Sequence, residues 1–448
     1  MKKTILTVFS IAICVIGFSQ ETPETLSLQE AIDFALQNNR TAKNAQRDIE
    51  AAKNQKWETT ASGLPQISAS IDYNHWLKQQ VSLIPAEFFG GNPGEFAEIA
   101  FGTKKTMNAT ATLKQKIFDG SYLVGLQSAK VFLEISKNAK EKTDLEVREA
   151  VINAYGNVLL SIESVRILQR NVAVLEKNLD ETTKIYENGL GEEESVEQLQ
   201  ITLSGIKSNL ANTERLKTLA YKMMNITLGV DLDANIKLTD NLNSLTSENI
   251  VVSLLGADEN VEQTIDFKIA ENNKVSKELL LKLEKSKALP TLDAFINGSY
   301  SGNNNQFKFL QSSQKWFGSS LLGISLDIPI FSSGMRSAST QRAKINLEKA
   351  KDDLTETEQQ LKLQIEAAKS EYKFAIEDYQ NKKDNLGLAE RIEKKNEIKF
   401  FEGISSSFDL RQAQTQLYTA QQEFLRAMLD VINKKAALET VLNEMPKN

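Results

Sequence analysis

The chain has 448 residues, of which 41% are hydrophobic and 25% are charged, a length that suits two or three ordinary domains. It begins with Lys2 and Lys3, followed by an apolar stretch from Ile5 to Phe18. This order is typical of a cleavable secretory signal, which we predict over residues 1–19. Without those two lysines, 51 basic residues remain against 59 acidic ones, a net charge of about −8. That balance argues against a nucleic-acid partner.

No membrane anchor is expected from the signal or from the rest of the chain. The apolar stretch is too short to span a bilayer, and no later run approaches the roughly 20 apolar residues of a transmembrane helix. The only cysteine, Cys14, follows Ile13 rather than the small residue that precedes a lipid-attachment site. We therefore predict a mature chain without a helical or lipid anchor and without disulfides or cysteine metal sites.

Two proline-free stretches, 94–289 and 330–445, can hold very long helices. From Val147 to Leu179, apolar residues recur every three or four positions. This period predicts an amphipathic helix with a narrow, coiled-coil-like apolar stripe, and about 68 residues would make it roughly 100 Å long. Helices of that length are not typical of compact domains. We predict long helices over about 121–188, 194–229, 335–401 and 407–444.

Four segments alternate apolar and polar residues with the period of a β-strand, as at Ile67, Ala69, Ile71 and Tyr73. Alternation alone fits an ordinary soluble sheet, but about ten residues per segment also fits membrane strands with a lipid face and a lumen face. In lipid a sheet must close so that every backbone group is paired. Since the smallest such barrels have eight strands, several subunits would have to share one barrel, although the count alone does not fix how many. We predict strands over about 64–77, 105–118, 289–300 and 317–331.

The pattern of strand, loop, strand, long helix, turn and long helix occurs twice, which indicates an internal duplication. We place the first repeat at 20–230, a connector at 231–260 and the second repeat at 261–448. The segments between paired strands, 78–104 and 301–315, are rich in glycine or asparagine and are predicted to be outward-facing loops. The matching stretches are 63–66 with 288–291, 117–120 with 330–334, and 186–190 with 400–404.

The opening Leu26-Ser27-Leu28-Gln29-Glu30-Ala31-Ile32, followed by Ala35-Leu36 and Asn38-Asn39, resembles the TolC family of outer-membrane efflux proteins when taken with the two repeats. The resemblance covers essentially the whole mature chain. It implies a homotrimer whose twelve strands form one outer-membrane barrel and whose coiled helices form a tunnel across the periplasm. It also implies partners: outer-membrane lipid, a periplasmic adaptor and an inner-membrane pump.

The turns between the paired long helices are where the family docks its adaptor, through a short pattern of aromatic residue, glycine and aliphatic residue. The same residue types could simply end a helix, since glycine commonly forms a left-handed C-cap, while Ser195 or one of Ser405 to Ser407 would begin the next helix as an N-cap. The residues similar to the family pattern are Tyr186, Gly189, Leu190, Phe400, Gly403 and Ile404.

Family channels narrow just past the second turn, at acidic side chains, and the matching residue here is Asp409. A second family aspartate corresponds to Gln412, a departure that weakens the case for a ring of carboxylates. Asp409 could instead favour the positive start of its own helix, an effect of about 0.3 to 1 kcal/mol. We predict Asp409 and Gln412 as the pore constriction.

Residues with catalytic potential are sparse. His75 is the sole histidine, and the chain has no phosphate-binding glycine loop and no HExxH or CxxC motif. We therefore predict no enzymatic activity, no cofactor and no metal site. The predicted function is a passive outer-membrane export channel of a tripartite efflux pump or type I secretion system. A periplasmic adaptor or a coiled-coil scaffold is the alternative. An adaptor would carry one helical hairpin flanked by small β-domains, whereas this chain has two hairpins and paired alternating strands, and a scaffold would leave the strands and the asparagine-rich loop unexplained.

Overall fold

The computed structural model describes residues 23–256 and 260–444, so the predicted signal over 1–19 and Cys14 lie outside the described residues. Most of the described chain is helical. The helices are α1 Leu28–Asn38, α2 Arg40–Ala61, α3 Gly120–Glu187, α4 Glu193–Leu228, α5 Leu242–Glu248, α6 Ile265–Ser286, α7 Met335–Phe401 and α8 Ser407–Leu442. The strands are β1 Thr25–Leu26, β2 Gln66–His75, β3 Val81–Pro85, β4 Phe96–Ala100, β5 Lys105–Asp119, β6 Lys237–Leu238, β7 Thr291–Asn304 and β8 Trp316–Asp327.

Two strand ends differ from the sequence-based expectation by four residues, and the others by no more than two. β7 extends to Asn304, four residues further than expected, because its pairing with β5 continues through Lys105 opposite Asn304; the ladder overrides the turn preference of the asparagines. β8 ends at Asp327, four residues early. Pro329 follows, and proline has no backbone N–H to donate to a ladder.

The chain folds into two compact units, which do not coincide with the two predicted repeats. One unit, here called the helical unit, is built from the described parts of Met1–Asn44, Thr143–Glu259 and Leu363–Asn448. The other, the sheet unit, is built from Ala45–Lys142 and the described part of Asn260–Lys362. Both units therefore draw on both halves of the sequence, and the repeat boundaries remain a prediction.

The helical unit is organised around the apolar stripe predicted on α3. Val151, Val158 and Leu175 of this stripe are fully buried, and they pack with buried residues of α1, α4 and α8. On α7, Tyr372 is buried and its hydroxyl both donates to the Asn249 carbonyl and accepts from the Val251 amide, at 2.6 and 2.8 Å. The apolar stripe of α3 thus supplies much of the core, as its spacing indicates.

The connector is part of the helical unit's core. β6 pairs in parallel with β1, and Leu242, Leu245 and Leu254 of the connector are buried in the same cluster as α3 and α8. The hydroxyl of Tyr155 on α3 donates to Asp240 at 2.8 Å. Burial, with the hydrogen bond to Asp240, raises the pKa of that hydroxyl, so it stays protonated and keeps the connector attached to α3.

The sheet unit combines α2, α6 and the first parts of α3 and α7 with a four-stranded sheet. The Tyr122 hydroxyl donates to the Thr60 carbonyl at 3.0 Å, and its ring lies where a Cβ at Gly63 would be. Glycine at 63 therefore allows α2 and α3 to meet at the start of β2. Within the described residues, no helix combines the length and the apolarity that crossing a membrane requires.

The buried ion pair between Arg148 and Glu439 gives a test of the helical unit's core. The two side chains meet at 2.6 Å, so Glu439→Ala would leave a buried guanidinium without its carboxylate, at a cost of about 3–5 kcal/mol. We expect a markedly lower denaturant midpoint for the detergent-purified protein. Glu371→Ala is the matched control, because Glu371 forms an exposed pair with Lys434 at 2.7 Å and should change stability by no more than about 1 kcal/mol. Equal effects of the two substitutions would contradict this assignment.

Candidate functional site: a two-faced sheet and two helix turns

The sheet of the sheet unit has two free edges. Its strand order is β2-β5-β7-β8, and each neighbouring pair is antiparallel. β2 and β8 therefore each have one side without a partner strand among the described residues. An unpaired edge presents a row of backbone N–H and C=O groups, a template for pairing with another chain.

One face of this sheet is largely apolar. Residues directly opposite each other in an antiparallel ladder point to the same side, so the register assigns each side chain to a face. The apolar face exposes Ile67, Leu322 and Ile324, each with about three quarters of its area open. The rows across the four strands on this face are Ile67, Leu113, Ile296 and Leu322; Ala69, Ala111, Gly298 and Ser320; Ile71, Ala109, Tyr300 and Gly318; and Tyr73, Met107, Gly302 and Trp316.

The opposite face is mainly polar, although Phe295, Phe317 and Leu321 also lie on it. Two of its serines, Ser299 and Ser319, hydrogen-bond across strands at 2.8 Å. An apolar face backed by a hydroxyl- and amide-rich face is the pattern of a barrel strand with lipid on one side and water on the other. The polar rows are Ser68, Thr112, Asn297 and Leu321; and Ser70, Thr110, Ser299 and Ser319.

The two faces should respond in opposite ways to an added charge. Leu322→Lys places an ammonium on the apolar face, where contact with lipid costs about 2–4 kcal/mol near the bilayer midplane. Ser319→Lys places the same group on the polar face of the same strand. We expect Leu322→Lys to reduce the fraction of protein that folds into lipid vesicles and Ser319→Lys to leave it almost unchanged. A similar loss for both variants would contradict the assignment of the faces.

The first predicted turn lies in the helical unit, between α3 and α4. Gly189 has a φ of 74°, a left-handed backbone conformation that residues other than glycine adopt poorly. Its amide donates to the Tyr186 carbonyl and the Leu190 amide donates to the Ile185 carbonyl, at 2.8 and 3.0 Å. These are the two bonds of a Schellman C-cap, and they leave Leu190 exposed.

The beginning of α4 differs from the expectation. Ser195 was predicted as an N-cap, but α4 begins at Glu193 with Glu192 in the capping position and no side-chain cap. Glu193 and Glu194 in the first turn interact favourably with the positive end of the helix. The acidic run at this turn therefore stabilises the beginning of the helix.

The second turn, between α7 and α8, has the same geometry. Gly403 also has a φ of 74°, and the Ile404 amide donates to the Lys399 carbonyl at 2.8 Å. Phe400 packs edge-on against Phe401 with ring centroids 5.3 Å apart, and Ile404 is exposed. The structure thus distributes the six predicted docking residues over two turns, three on each, and the C-cap role of both glycines is confirmed.

Asp409 is tied into the start of α8. Ser406 is the N-cap, and its hydroxyl and amide donate to Asp409 Oδ2 at 2.7 and 3.1 Å, while the Asp409 amide donates back to Ser406 Oγ at 3.2 Å. The Ser406 hydroxyl, with the other donors, lowers the pKa of the Asp409 carboxyl below its ordinary value. Asp409 is therefore ionised at neutral pH, and Gln412, one turn further, is exposed beside it.

A polar seam between α3 and α8 lay outside the sequence-based expectation. Asn171 donates to Gln421 across the two helices at 2.9 Å, and seven residues nearer the turns lie Asn178 and Gln414, both almost fully buried. Asn178 Nδ2 and both amide atoms of Gln414 have no hydrogen-bond partner within the described part of the chain. A buried unsatisfied polar group costs about 1–3 kcal/mol, so this seam holds the two helices together less tightly than an apolar one would.

The described residues contain no cluster of three or more histidine, cysteine, aspartate or glutamate side chains that could hold a metal ion. The geometry offers a two-faced sheet with free edges and two exposed helix turns. Free strand edges and exposed turns are features through which a chain can assemble with other chains.

Comparison with known proteins agrees with this geometry. The chain matches the model of the outer membrane efflux protein family over residues 31–229 and 276–444. It is 20% identical to the outer membrane protein TolC of Vibrio cholerae serotype O1 over 327 residues, which are 73% of this chain and 74% of TolC. This similarity confirms the predicted family and does not support the alternatives of an adaptor or a scaffold.

Two solved structures show the same fold. CusC has a TM-score of 0.72 at 16% identity, with 95% of each chain covered. The MtrE outer membrane channel of Neisseria gonorrhoeae, solved in its open state, has a TM-score of 0.69 at 17% identity, with 93% of this chain and 88% of MtrE covered. The predicted mainly helical fold with paired long helices and barrel strands is confirmed. Since the family model matches most of both halves of the sequence, this chain belongs to the outer membrane efflux protein family.

Proposed function

We propose that three copies of this chain form a passive outer-membrane channel of a tripartite efflux pump or type I secretion system. The observation that carries the proposal is the four-stranded sheet with an apolar face and two free edges. β2 and β8 run in opposite directions, because the three pairings between them are all antiparallel. The β8 edge of one copy can therefore pair with the β2 edge of the next, and every junction stays antiparallel.

The helical unit supports assembly through a second, independent surface. On α4, the stripe formed by Leu216, Leu219, Met223 and Ile226 is exposed, with the three- and four-residue spacing of a coiled-coil seam. The opposite side of α4 is buried against its own chain, at Leu203 and other positions. A neighbouring copy would cover this stripe in a ring of helices, as the trimer requires.

Planar-bilayer conductance of the detergent-purified mature protein, measured alongside its oligomeric mass, tests the proposed channel. We expect a trimer that conducts ions without any energy source, because three copies supply twelve strands for one closed barrel. A water-soluble monomer that gives no current would contradict the proposal.

The two exposed turns are the proposed docking sites for a periplasmic adaptor. Leu190 and Ile404 protrude from capped turns, which suits them to insert between the helices of a partner hairpin. Tyr186 and Phe400, with Gly189 and Gly403, set the shape of these turns.

Replacing both aliphatic side chains tests the docking sites. We expect Leu190→Asp with Ile404→Asp to abolish co-purification with a purified periplasmic adaptor of the same organism, because a charge cannot enter an apolar contact without a partner. Val252→Asp is the control, since Val252 is also an exposed aliphatic residue, at 64% against 81% for Leu190 and 71% for Ile404, but lies in the connector. Unchanged adaptor binding by the double variant would remove the turns from the docking surface.

Asp409 and Gln412 are the proposed constriction, and the pair of helices α7 and α8 is the proposed moving element. The tip would open when α7 and α8 of each copy move outward, and the polar seam between α3 and α8 would ease that separation. An inner-membrane pump would supply the energy through the adaptor.

Leak conductance of the purified channel tests the constriction. We expect Asp409→Ala with Gln412→Ala to raise it, because both side chains that narrow the opening are then removed. Ser406→Ala is the control: it loses the same N-cap, worth about 1 kcal/mol, but keeps the carboxylate. If the double variant shows no greater leak than wild type, or if Ser406→Ala leaks equally, these residues do not line the closed end.

A further inference from the structure

The segment 78–104 contains a second small sheet that continues the β2–β5 ladder. β3 and β4 pair with each other and with no strand of the four-stranded sheet. The Trp76 amide donates to the Lys104 carbonyl at 2.8 Å, and Gln79 Nε2 donates to the Gly102 carbonyl at 3.2 Å. We call residues 81–101 the ribbon, since they extend the sheet as a two-stranded projection.

The ribbon is unusually apolar for an isolated hairpin. Phe88 is 78% exposed, and Leu83, Phe89, Phe96 and Phe101 are each more than 60% exposed. A lone two-stranded hairpin is marginally stable in water, and this many exposed large apolar side chains on one short segment indicate an interaction surface. The ribbon therefore needs a partner to cover it.

The charge of the ribbon restricts what that partner can be. Its only charged residues are Glu87, Glu95 and Glu98, and none of them has an ion pair in the described part of the chain. Three carboxylates disfavour the anionic head groups of a lipid surface. They favour a partner that is basic as well as apolar.

The loop over residues 305–315, between β7 and β8, has that chemistry. Its only charged residues are Lys308 and Lys315, which form no ion pair in the described structure, and Leu310 is 85% exposed. Phe309, in contrast, is buried against Tyr73, with ring centroids 6.0 Å apart. Phe307 also contacts Tyr73, with ring centroids 5.5 Å apart. Two aromatic side chains therefore anchor the loop, while its basic and aliphatic side chains stay open.

Topology brings the ribbon of one copy to the loop of the next. The ribbon follows the last residue of β2, His75, and the loop precedes the first residue of β8, Trp316. If β8 of one copy pairs antiparallel with β2 of its neighbour, these two strand ends lie side by side at the same rim. Within one chain, the loop also lies beside the base of the ribbon, because β5 pairs with β7 and the Lys104 amide donates to Asn305 Oδ1 at 3.0 Å. The loop's lysines nevertheless form no ion pair with the ribbon's glutamates in the described structure, so these charges remain available to a neighbouring copy.

We propose that the ribbon of each copy docks on loop 305–315 of the neighbouring copy, with its three glutamates facing Lys308 and Lys315 and its phenylalanines covering Leu310. The occupant is thus a second copy of this chain. The proposal rests on the proposed shared barrel, which it extends with a clasp at the rim formed by the ends of β2 and β8.

Zero-length carbodiimide cross-linking tests the contact directly, because it joins only carboxylates and amines that touch. After cross-linking of the purified oligomer and denaturation, we expect ribbon–loop peptides in the covalent dimer band and not in the monomer band. The triple variant Glu87→Gln, Glu95→Gln and Glu98→Gln should lose these peptides. Ribbon–loop peptides confined to the monomer band, or absent altogether, would overturn the proposal.

Charge reversal provides the second readout. We expect Glu87→Lys with Glu98→Lys to speed dissociation of the oligomer into monomers by about two- to fivefold for each ion pair lost. Adding Lys308→Glu and Lys315→Glu should restore the wild-type rate. Glu50→Lys is the control, because Glu50 is exposed on α2 and outside the ribbon. Failure of the combined variant to recover would overturn the proposal.

These experiments separate failure of the clasp from failure of the channel. A conducting oligomer without ribbon–loop links would overturn only the clasp. A monomer that gives neither links nor current would overturn both.

Discussion

The free backbone edges of β2 and β8 are the constraint on which the rest of the structure depends. In water an unpaired strand edge is hydrated, but in hydrocarbon each unpaired N–H or C=O costs several kcal/mol. The apolar face that runs across all four strands suits the sheet to lipid, where its edges cannot remain open. Partner strands must come from other copies, so the requirement to pair backbone groups makes assembly part of folding.

The helical unit holds its long helices together by contacts of two kinds. Most of the contact is apolar, as at Val151 and Leu175 on α3. Toward the turns, however, buried amides lie among the aliphatic side chains, and Gln414 has no partner in the described chain for either amide atom. These unsatisfied amides weaken the α3–α8 contact where they lie. The turns themselves are capped, with Gly189 and Gly403 in the left-handed region.

Much of the fold could be predicted from the sequence because two periodicities are unusually clear. Alternation at Ile67, Ala69, Ile71 and Tyr73 indicated a two-faced strand, and the three- and four-residue spacing on α3 indicated its buried stripe. Features that depend on contacts between residues far apart in the sequence could not be predicted. β6 consists of two residues and exists because it pairs with β1. The polar seam could be predicted only if the packing of α8 against α3 were already known. The ribbon was taken for an ordinary loop because its glycines and Pro93 mask two short strands.

The turn residues illustrate a further limit. Their sequence indicated C-caps, and the structure confirms them, but capping and partner docking use the same glycine and aliphatic residue. The cap at Ser406 was within the predicted range, whereas Ser195 was not a cap because the glutamates before it had already begun α4. When the same residues can cap a helix and bind a partner, the sequence alone does not show which of the two roles they have.

The central claim, that β8 of one copy pairs with β2 of the next, is tested most directly by disulfide scanning between these strands. The only cysteine is Cys14, so a single cysteine at Ser70 can be combined with a series of cysteines along β8. Within one chain these strands lie about 14 Å apart, three strand spacings, which is beyond the roughly 4.4–6.8 Å span of a disulfide. We predict covalent trimers at one register and its immediate neighbours. Absence of cross-linked species at every position along β8 would contradict the shared barrel.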